Sequence, residues 1–346
     1  MHGRGADSNT LNRFEQLSIE LELEDGEEPR KVPTRFYRDD SKTILAENNS
    51  PDVGFRFSLN PYRGCEHGCA YCYARPSHEY LSFSAGLDFE TRIMVKARAP
   101  ELLRDKLSSR SWQPQVVALS GNTDCYQPVE RKLEITRRCL QVFAEFRNPV
   151  SMLTKSDLVM RDIDVLKQLA AHDAIAVNLS VTSLSSELAG KLEPRAARPH
   201  RRLKAVEALA AAGIPVGVLI GPVIPGLNDT EIPAIVAAAA SAGAQWAGWV
   251  MLRLAQPLPQ LFDEWLETHY PERRMKVWSR IRDVRGGKDS STEFGQRMVG
   301  QGEYAQQLQA LFHAAHRKHF GAREAHHLSV HHFRKPVISE AQLKLF

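Results

Sequence analysis

The chain has 346 residues, of which 43% are hydrophobic and 25% are charged, with a formal net charge of +4. This composition is typical of a globular enzyme. Without an apolar run near the roughly 20 residues that cross a bilayer, and without an apolar signal core, the sequence favours a cytoplasmic protein that does not enter the membrane. Five cysteines, three of them close together, argue against a secreted disulfide framework.

The chain begins with a polar segment of mixed charge, which we assign to an N-terminal extension over residues 1–54. Apolar and polar residues alternate weakly over 17–23, which predicts one edge strand there. From residue 55 onward, short apolar runs alternate with helical patterns. The predicted strands are 55–59, 116–120, 150–154, 175–181, 214–220 and 246–252.

Helices are predicted between these strands. Pro100 suits the first turn of a helix over 100–108, and one continuous helix is predicted over 129–146, with Cys139 on its apolar face. Asp162 and Asp229 are predicted to cap two later helices. Six strand–helix units predict an α/β fold, and we favour a partial (β/α)6 TIM barrel over 55–256, although the alternation alone does not exclude a doubly wound sheet.

Cys65, Cys69 and Cys72 form a C-x3-C-x2-C run in the stretch NPYRGCEHGCAYCYAR, directly after the first barrel strand. Three thiolates this close suit a [4Fe–4S] cluster with one iron left open, as is needed for a cluster that binds a small molecule. The alternatives are a structural cluster or a zinc site, which His67 or His78 would complete.

Polar residues follow the other barrel strands, where ligands of parallel α/β folds bind. Thr123 and Asp124 follow the second strand and Lys155 the third, while Ser180 and Thr182 end the fourth. A lysine beside hydroxyl groups favours the binding of a carboxylate and a ribose. Together these residues indicate a site for a zwitterionic nucleoside.

The cysteine run, with an aromatic residue before its third cysteine, resembles the signature of the radical S-adenosylmethionine (SAM) superfamily. Residues 55–255 resemble spore photoproduct lyase and related radical-type DNA repair lyases more closely. The matching positions are Tyr71, Cys72 and Tyr73, Thr154-Lys155-Ser156, Ser180, Glu193-Pro194 and Gly221-Pro222.

The resemblance implies a radical SAM type of partial barrel, a [4Fe–4S] cluster held by the three cysteines, and SAM as the second cofactor. It implies that Tyr71, Thr123, Asp124, Lys155, Ser180 and Thr182 contribute to SAM binding. Reductive cleavage of SAM would then give a 5′-deoxyadenosyl radical that abstracts hydrogen from the substrate. It further implies an electron donor such as flavodoxin or ferredoxin and a nucleic-acid substrate whose base is unstacked.

One position departs from the lyase pattern. The cysteine that donates hydrogen in the lyase falls on Gly121 here, and Cys125 lies four residues downstream. Cys125 is therefore a candidate replacement thiol, with Tyr71 and Tyr73 as radical relays. The same chain also admits a protein or small-molecule substrate, or a non-catalytic iron–sulfur module that senses redox state and binds DNA or the clamp.

After residue 256 the pattern becomes helical and basic, and we assign residues 257–335 to a separate C-terminal region. His313, His316 and His319 are spaced as a metal site would require, but also as a solvated or phosphate-facing helix surface would be. Two basic clusters, at 195–204 and 273–285, suit either phosphate contacts or solvated helix faces.

The last residues, 336–346, form a tail that ends in QLKLF. This ending resembles the peptide that binds the bacterial sliding clamp. Gln342 would hydrogen-bond at the rim of an apolar groove, with Leu343, Leu345 and Phe346 inside it. The alternative is that these side chains pack back onto the barrel. We expect a monomer in either case.

Overall fold

A computed structural model of the chain describes residues 4–6, 8–9, 32–321 and 326–336. The strand predicted over 17–23 and the clamp-like peptide at 342–346 lie outside these ranges.

The described part of the chain contains the following strands and α-helices, in order. They are β1 (Arg35–Arg38), β2 (Leu45–Glu47), β3 (Phe57–Leu59), β4 (Tyr62–Arg63), α1 (Leu87–Thr91), β5 (Arg92–Val95), α2 (Ala99–Ser108), β6 (Val117–Leu119), α3 (Glu130–Leu133), α4 (Ile135–Phe146), β7 (Val150–Thr154), α5 (Ile163–Ala170), β8 (Ile175–Ser180), α6 (Ser186–Leu192), α7 (Pro199–Ala211), β9 (Val216–Val223), α8 (Ile232–Ser241), β10 (Trp246–Met251), α9 (Leu258–His269), α10 (Pro271–Asp283) and α11 (Gly302–Phe320). Short 3-10 helices cover Arg75–Leu81, Asp157–Asp162 and Asp229–Glu231.

The main sheet has the strand order β10-β9-β8-β7-β6-β3-β2. Strands β3 and β6 to β10 are mutually parallel, and β2 adds to the β3 edge in the antiparallel direction. All six predicted strands are therefore confirmed, and six parallel strands with intervening helices form the predicted partial (β/α)6 barrel. A smaller sheet, β1-β5-β4, lies beside the cysteine loop.

Strands β6 to β9 are largely buried because helices cover their outer face, whereas the edge strand β10 is only partly buried. On α4 the predicted apolar face is present: Ile135, Cys139, Val142 and Phe146 are each at most 3% exposed. Burial of a large apolar side chain contributes about 1.5–3 kcal/mol, so faces like this one stabilise the barrel. The Cys139 thiol behaves as a small apolar group in this core.

The helix predicted over 129–146 is not continuous. It breaks at Glu134, which has a φ of +51° and separates α3 from α4. The buried carboxylate of Glu130 accepts hydrogen bonds from the Thr136 amide at 3.1 Å and from the Tyr62 hydroxyl. A carboxylate in the core needs such partners, and the break supplies one of them.

Asp162 occupies the predicted N-cap position of α5, but its side chain makes no capping hydrogen bond, and the predicted cap at Asp229 is wrong because Glu231 holds that position in α8. The Asp162 carboxylate accepts hydrogen bonds from the Tyr126 hydroxyl at 2.9 Å and from Arg137 and Arg161, and a 3-10 helix leads into α5 instead. The Asp229 carboxylate likewise accepts from the Gly226 amide, and its own 3-10 helix precedes α8. The Asp229 carboxylate also accepts from the distant Tyr304 hydroxyl, so both carboxylates bond tertiary partners in place of helix amides.

Residues 326–336 lie across the amino-terminal ends of the barrel strands. The His326 ring stacks on Trp246 with centroids 6.0 Å apart, and the Ser329 amide donates to the Asp173 carbonyl at 2.8 Å. The Arg334 amide donates to the Phe146 carbonyl, just before β7. This segment covers the amino-terminal ends of β7, β8 and β10, the face that we call the floor of the barrel.

Helices α9 to α11 confirm the helical pattern after residue 256. None of the helices in the described ranges is long and apolar enough to cross a membrane.

Candidate active site

A cavity of about 670 Å³ lies at the carboxyl ends of the barrel strands. Its inner wall is largely apolar and includes Leu119, Met152, Leu219 and Val250. A pocket of this size, with a few polar groups on an apolar wall, is typical of a site for a small molecule or cofactor.

The cysteine loop lies beside this cavity and is fixed from several directions. The buried Arg75 guanidinium donates to the Cys69 carbonyl at 3.0 Å and pairs with Glu90 at 3.2 Å. The Cys65 amide donates to the Phe89 carbonyl at 2.9 Å, and the Ala70 amide donates to the carbonyl of Leu192. A loop held at both its sides presents its thiols in a fixed arrangement.

The three thiols share one desolvated environment. Cys65 and Cys69 are buried, and Cys72 packs against both groups of buried residues that contain them. Burial raises the pKa of Cys69 well above its usual value, and the nearby Glu193 carboxylate adds to this while the Lys155 cation opposes it. Burial likewise raises the pKa of Cys72, with Cys65 as the next cause. Positive charge from iron would offset this penalty and stabilise the thiolates.

Tyr71 leads into a buried polar network beneath the cavity. Its hydroxyl donates to the Glu193 carboxylate and lies 3.2 Å from the Thr182 hydroxyl. Glu193 pairs in turn with the Arg202 guanidinium, and both side chains are at most 1% exposed. Burial favours the neutral form of Glu193, but Arg202 and Lys155 outweigh it and hold the pKa of this carboxyl below its usual value.

Lys155 and Ser180 line the cavity wall, as do Tyr71 and Tyr73. The Lys155 ammonium group lies 5.8 Å from the centre of the Tyr71 ring. The Ser180 hydroxyl donates to the Gly221 carbonyl at 3.0 Å. Among the sequence-predicted site residues, the structure thus brings these four together, with Thr182 directly behind them.

Thr123, Asp124 and Cys125 lie behind this wall. The Thr123 hydroxyl donates to the Tyr62 carbonyl at 2.6 Å. The Asp124 carboxylate accepts from the Lys155 amide at 2.8 Å and from the Thr154 hydroxyl at 2.7 Å. Cys125 is fully buried in the barrel core, and burial raises the pKa of its thiol well above the usual value. This position gives Cys125 no access to a ligand in the cavity.

Gly121, where the resembling lyase has a donor cysteine, has no room for a side chain. A Cβ atom built on it would lie 2.8 Å from the Ser58 Cβ. The Tyr73 hydroxyl donates to the Gly121 carbonyl at 2.9 Å, so a tyrosine rather than a thiol lies at this point of the cavity.

Of the two imidazoles proposed for a zinc site, His78 has another partner, and His67 interacts with both Asp124 and Cys65. The His78 Nε2 lies 2.9 Å from the Arg92 carbonyl, and burial lowers its pKa to about 4. The His67 Nδ1 lies 3.3 Å from the Asp124 carboxylate. Across the described ranges, no group of three His, Cys, Asp or Glu side chains is arranged to hold a single metal ion. His313, His316 and His319 therefore do not form such a group.

The basic cluster at 195–204 is largely neutralised by carboxylates. Arg195 pairs with Glu66 at 2.7 Å and Arg201 with Asp157 at 2.5 Å, while Arg202 is buried against Glu193. A phosphate-tracking role is therefore wrong for Arg202, whose guanidinium is not accessible.

Sequence reasoning missed the residues that close the open side of the barrel. Asp52, after β2, accepts a hydrogen bond from the Gly295 amide at 2.6 Å and forms an ion pair with Arg297. Arg297 also donates to the Ser50 hydroxyl at 2.6 Å. The Met251 amide at the end of β10 donates to the Met298 carbonyl, next to Arg297. Residues 295–298 therefore connect β10, at one edge of the sheet, with the residues that follow β2 at the other edge.

Sequence reasoning also missed Glu193 as part of the site, although the Glu193-Pro194 pair matches the lyase pattern. Nothing in the local sequence signals that its partners are Tyr71, 122 residues away, and Arg202.

Comparison with known proteins gives a family match. The model of the Radical SAM superfamily matches residues 59–239. An uncharacterised protein from Mycobacterium tuberculosis is 34% identical over 235 residues, which cover 64% of this chain and 69% of that protein. Another, from Methanocaldococcus jannaschii, is 31% identical over 178 residues, or 51% of this chain and 64% of its own length.

Among solved structures, spore photoproduct lyase complexed with dinucleoside spore photoproduct has a similar fold. Its TM-score is 0.58 at 15% identity, and the match covers 83% of this chain and 79% of the lyase. A mutant of the same lyase gives a TM-score of 0.60 at 14% identity, over 85% of this chain and 86% of the lyase.

Proposed function

Because this chain belongs to the radical SAM superfamily, we propose that it is a radical SAM enzyme acting on nucleic acid, in a lyase-type repair or modification reaction. Family membership implies a [4Fe–4S] cluster and SAM. We assign the cluster to Cys65, Cys69 and Cys72. When bound, the two cofactors supply an electron and a 5′-deoxyadenosyl radical that removes hydrogen from an unreactive carbon.

The cysteine loop fits the cluster on two observations. Its three thiols share one desolvated environment, and the loop that carries them is fixed by Arg75 and by backbone hydrogen bonds. Three cysteines in such a loop leave one iron free for SAM, and an external electron donor such as flavodoxin or ferredoxin would reduce the cluster.

The SAM site is proposed on the wall beside this loop. Lys155 would bind the carboxylate of SAM, and the Ser180 hydroxyl would hydrogen-bond its polar groups. Tyr71 would contact the cofactor with its ring, held in place by Glu193 and Thr182. Thr123 and Asp124 would act indirectly, because Asp124 fixes the backbone of Lys155.

The main support for a nucleic-acid substrate is the similarity in fold to spore photoproduct lyase, which extends along 83% of this chain. The cavity adds support, since it is partly open and its apolar wall suits an unstacked base. Tyr73 is half exposed and lines this cavity, so we propose it as the group that exchanges a hydrogen atom with the substrate radical. The burial of Cys125 argues against that role for its thiol.

The test is an anaerobic assay of the reconstituted protein. Dithionite and SAM are added with and without ultraviolet-damaged DNA, and 5′-deoxyadenosine is counted. Cleavage that rises several-fold with damaged DNA supports the proposal. Cleavage that is indifferent to DNA keeps the enzyme class but points to a protein or small-molecule substrate. An intact, reducible cluster without any cleavage would favour the sensing module.

Two cysteine variants make this assay specific. Cys69→Ala is expected to lose the cluster's iron and its visible absorption, together with SAM cleavage. Cys139→Ala, a buried cysteine on α4, is the matched control and should keep both. A Cys69→Ala protein that retains the full cluster would contradict the ligand assignment.

We also propose that Gln342, Leu343, Leu345 and Phe346 bind a sliding clamp. The segment that precedes the tail, residues 326–336, lies on the floor of the barrel, on the side away from the cavity. A clamp bound there would leave the cavity accessible. Deletion of 342–346 should abolish clamp binding in a pull-down assay and leave SAM cleavage unchanged, and retained binding would exclude this peptide.

A further inference from the structure

We infer that Arg253 forms a second anion site in the cavity, which takes a phosphodiester group of the substrate. This inference rests on the proposed function for the identity of the substrate, but the anion site itself follows from the charges around the cavity. It differs from the proposed SAM site in position and in the group it binds.

Positive charge is in excess at the outer part of the cavity. Arg253 and Arg297 both line it, and Arg285 is buried just behind, where it donates to the Leu252 carbonyl. Burial, followed by the repulsion from Arg253, lowers the pKa of Arg285 to about 10. The Asp52 carboxylate lies near these guanidinium groups, but it forms an ion pair with Arg297.

Arg253 itself has no ion pair with a carboxylate anywhere in the described ranges. Its guanidinium lies 5.4 Å from the centre of the Tyr73 ring, and its NH1 donates to the Met298 thioether at 3.1 Å. A thioether is a weak acceptor, so most of the donor capacity of this guanidinium remains unused. A half-buried arginine with repelling neighbours is stabilised by an anionic ligand.

The acidic residue that lines the cavity, Glu47, does not compensate for this charge. Glu47 is bound to Arg56 through two contacts, at 2.6 and 2.7 Å. The remaining polar groups at this end, Asn48 and Ser50, are neutral. The outer cavity therefore carries a net positive charge that its own residues leave unbalanced.

The position of Arg253 separates it from Lys155, which also lines the cavity. Lys155 follows β7, whereas Arg253 follows β10, at the far edge of the sheet beyond β8 and β9. Lys155 adjoins Tyr71 on one side of Cys72, and Arg253 adjoins Tyr73 on the other. Two cations on different strands suit two different anions, the carboxylate of SAM and a phosphate of the substrate.

A phosphodiester suits this arginine in particular. The planar guanidinium offers paired N–H donors that match two oxygens of a phosphate. A base in the apolar part of the cavity would place its flanking phosphate beside Arg253, which lines the same cavity. In this arrangement Arg253 fixes the substrate backbone while Tyr73 faces the reacting base.

The experiment measures binding to cluster-loaded protein by fluorescence anisotropy and calorimetry. The probes are a short oligothymidylate, the same oligomer with neutral methylphosphonate linkages, and inorganic phosphate. Wild type should bind the charged oligomer about 10-fold or more tightly than the neutral one. Arg253→Gln should lose this preference, Arg253→Lys should keep part of it, and Arg131→Gln, an exposed arginine on α3, should keep all of it.

Salt dependence gives a second readout. The slope of log affinity against log salt should fall by about 0.7 in Arg253→Gln, as expected for one lost phosphate contact on a single strand. An Arg253→Gln protein that keeps the preference and the slope would overturn the inference. The melting temperature of each variant serves as the check on folding.

The outcomes separate the two proposals. Binding of inorganic phosphate that depends on Arg253, without binding of either oligomer, would support the anion site and reject nucleic acid as the substrate. Oligomer binding that is equal in wild type and Arg253→Gln would leave nucleic acid in place and reject the anion site. A wild-type protein that binds none of the three probes would reject both.

Discussion

Glu193 and Arg202 form an ion pair in which each side chain is at most 1% exposed, and Tyr71 donates a hydrogen bond to the same carboxylate. The pair lies directly beneath the cavity. It therefore links the stability of the barrel to the position of the tyrosine that precedes the third cysteine.

We expect Glu193→Gln to destabilise the protein by about 3–5 kcal/mol, because Arg202 would remain as an unpaired buried charge. The free energy of unfolding is measured by urea denaturation. Glu187→Gln is the matched control, since the Glu187–Lys191 pair is exposed on α6, and it should leave the urea midpoint unchanged. Equal effects of the two changes would contradict this account.

Removal of both partners should cost less than the sum of the single changes. In Glu193→Gln combined with Arg202→Met no charge is left without a partner, so part of the stability should return. Strict additivity would mean that the two side chains stabilise the fold independently.

Tyr73→Phe should separate SAM cleavage from product formation. The change removes the hydroxyl that donates to the Gly121 carbonyl but leaves the ring and the cysteine loop in place. We expect 5′-deoxyadenosine release within about twofold of wild type, with at least a 10-fold lower ratio of product to 5′-deoxyadenosine. Parallel loss of both would indicate that Tyr73 binds ligand and relays no radical.

Lys155→Gln should weaken SAM binding. Loss of a charge-assisted contact to the carboxylate predicts a KM for SAM that is about 10- to 100-fold higher. Lys167→Gln, an exposed lysine on α5, is the control and should have the wild-type KM. An unchanged KM in Lys155→Gln would remove this lysine from the SAM site, and the cluster absorption shows whether the loop is intact.

His78 should make the free energy of unfolding of the protein depend on pH. Burial lowers its pKa to about 4, whereas the unfolded chain has the usual value near 6.5. The unfolded state therefore binds the proton first as the pH falls. The stability that the neutral imidazole provides is fully present above pH 6.5 and is lost progressively between pH 6.5 and pH 4.

Between pH 7.5 and pH 5 this loss amounts to about 2 kcal/mol. Urea denaturation at the two pH values should show it in wild type and in the control His313→Gln, an exposed histidine on α11, but not in His78→Gln. Iron content is checked at each pH so that cluster loss is not mistaken for unfolding. A His78→Gln protein with the full wild-type dependence would contradict the assignment.

The barrel was predictable from the sequence because its strands are short apolar runs that precede polar turns. The cysteine run and Lys155 were predictable for a similar reason. The cysteines are recognised by their spacing, and Lys155 by its place directly after a strand. The break at Glu134 was not, because it accompanies the burial of the Glu130 carboxylate, whose partner Tyr62 lies 68 residues away in the chain.

The same limit applies to the rim of the cavity. Asp52 and Arg297 are 245 residues apart in the chain, and each alone is an ordinary charged loop residue. Cys125 shows the opposite error: its place in the chain, next to polar residues after a strand, suggested a reactive thiol, but its side chain points into the core. The direction of a side chain after the end of a strand depends on tertiary packing. The spacing of residues in the sequence does not predict it.

The floor of the barrel bears on the kinetics of turnover. Residues 326–336 cover the amino-terminal ends of β7, β8 and β10, and the Asp52–Arg297 contact closes the side between β10 and β2. Cofactor and substrate then share the passage at the carboxyl ends of the strands. For the nucleic-acid substrate proposed above, we expect a compulsory order in which SAM enters first and a substrate in the outer cavity blocks its exchange.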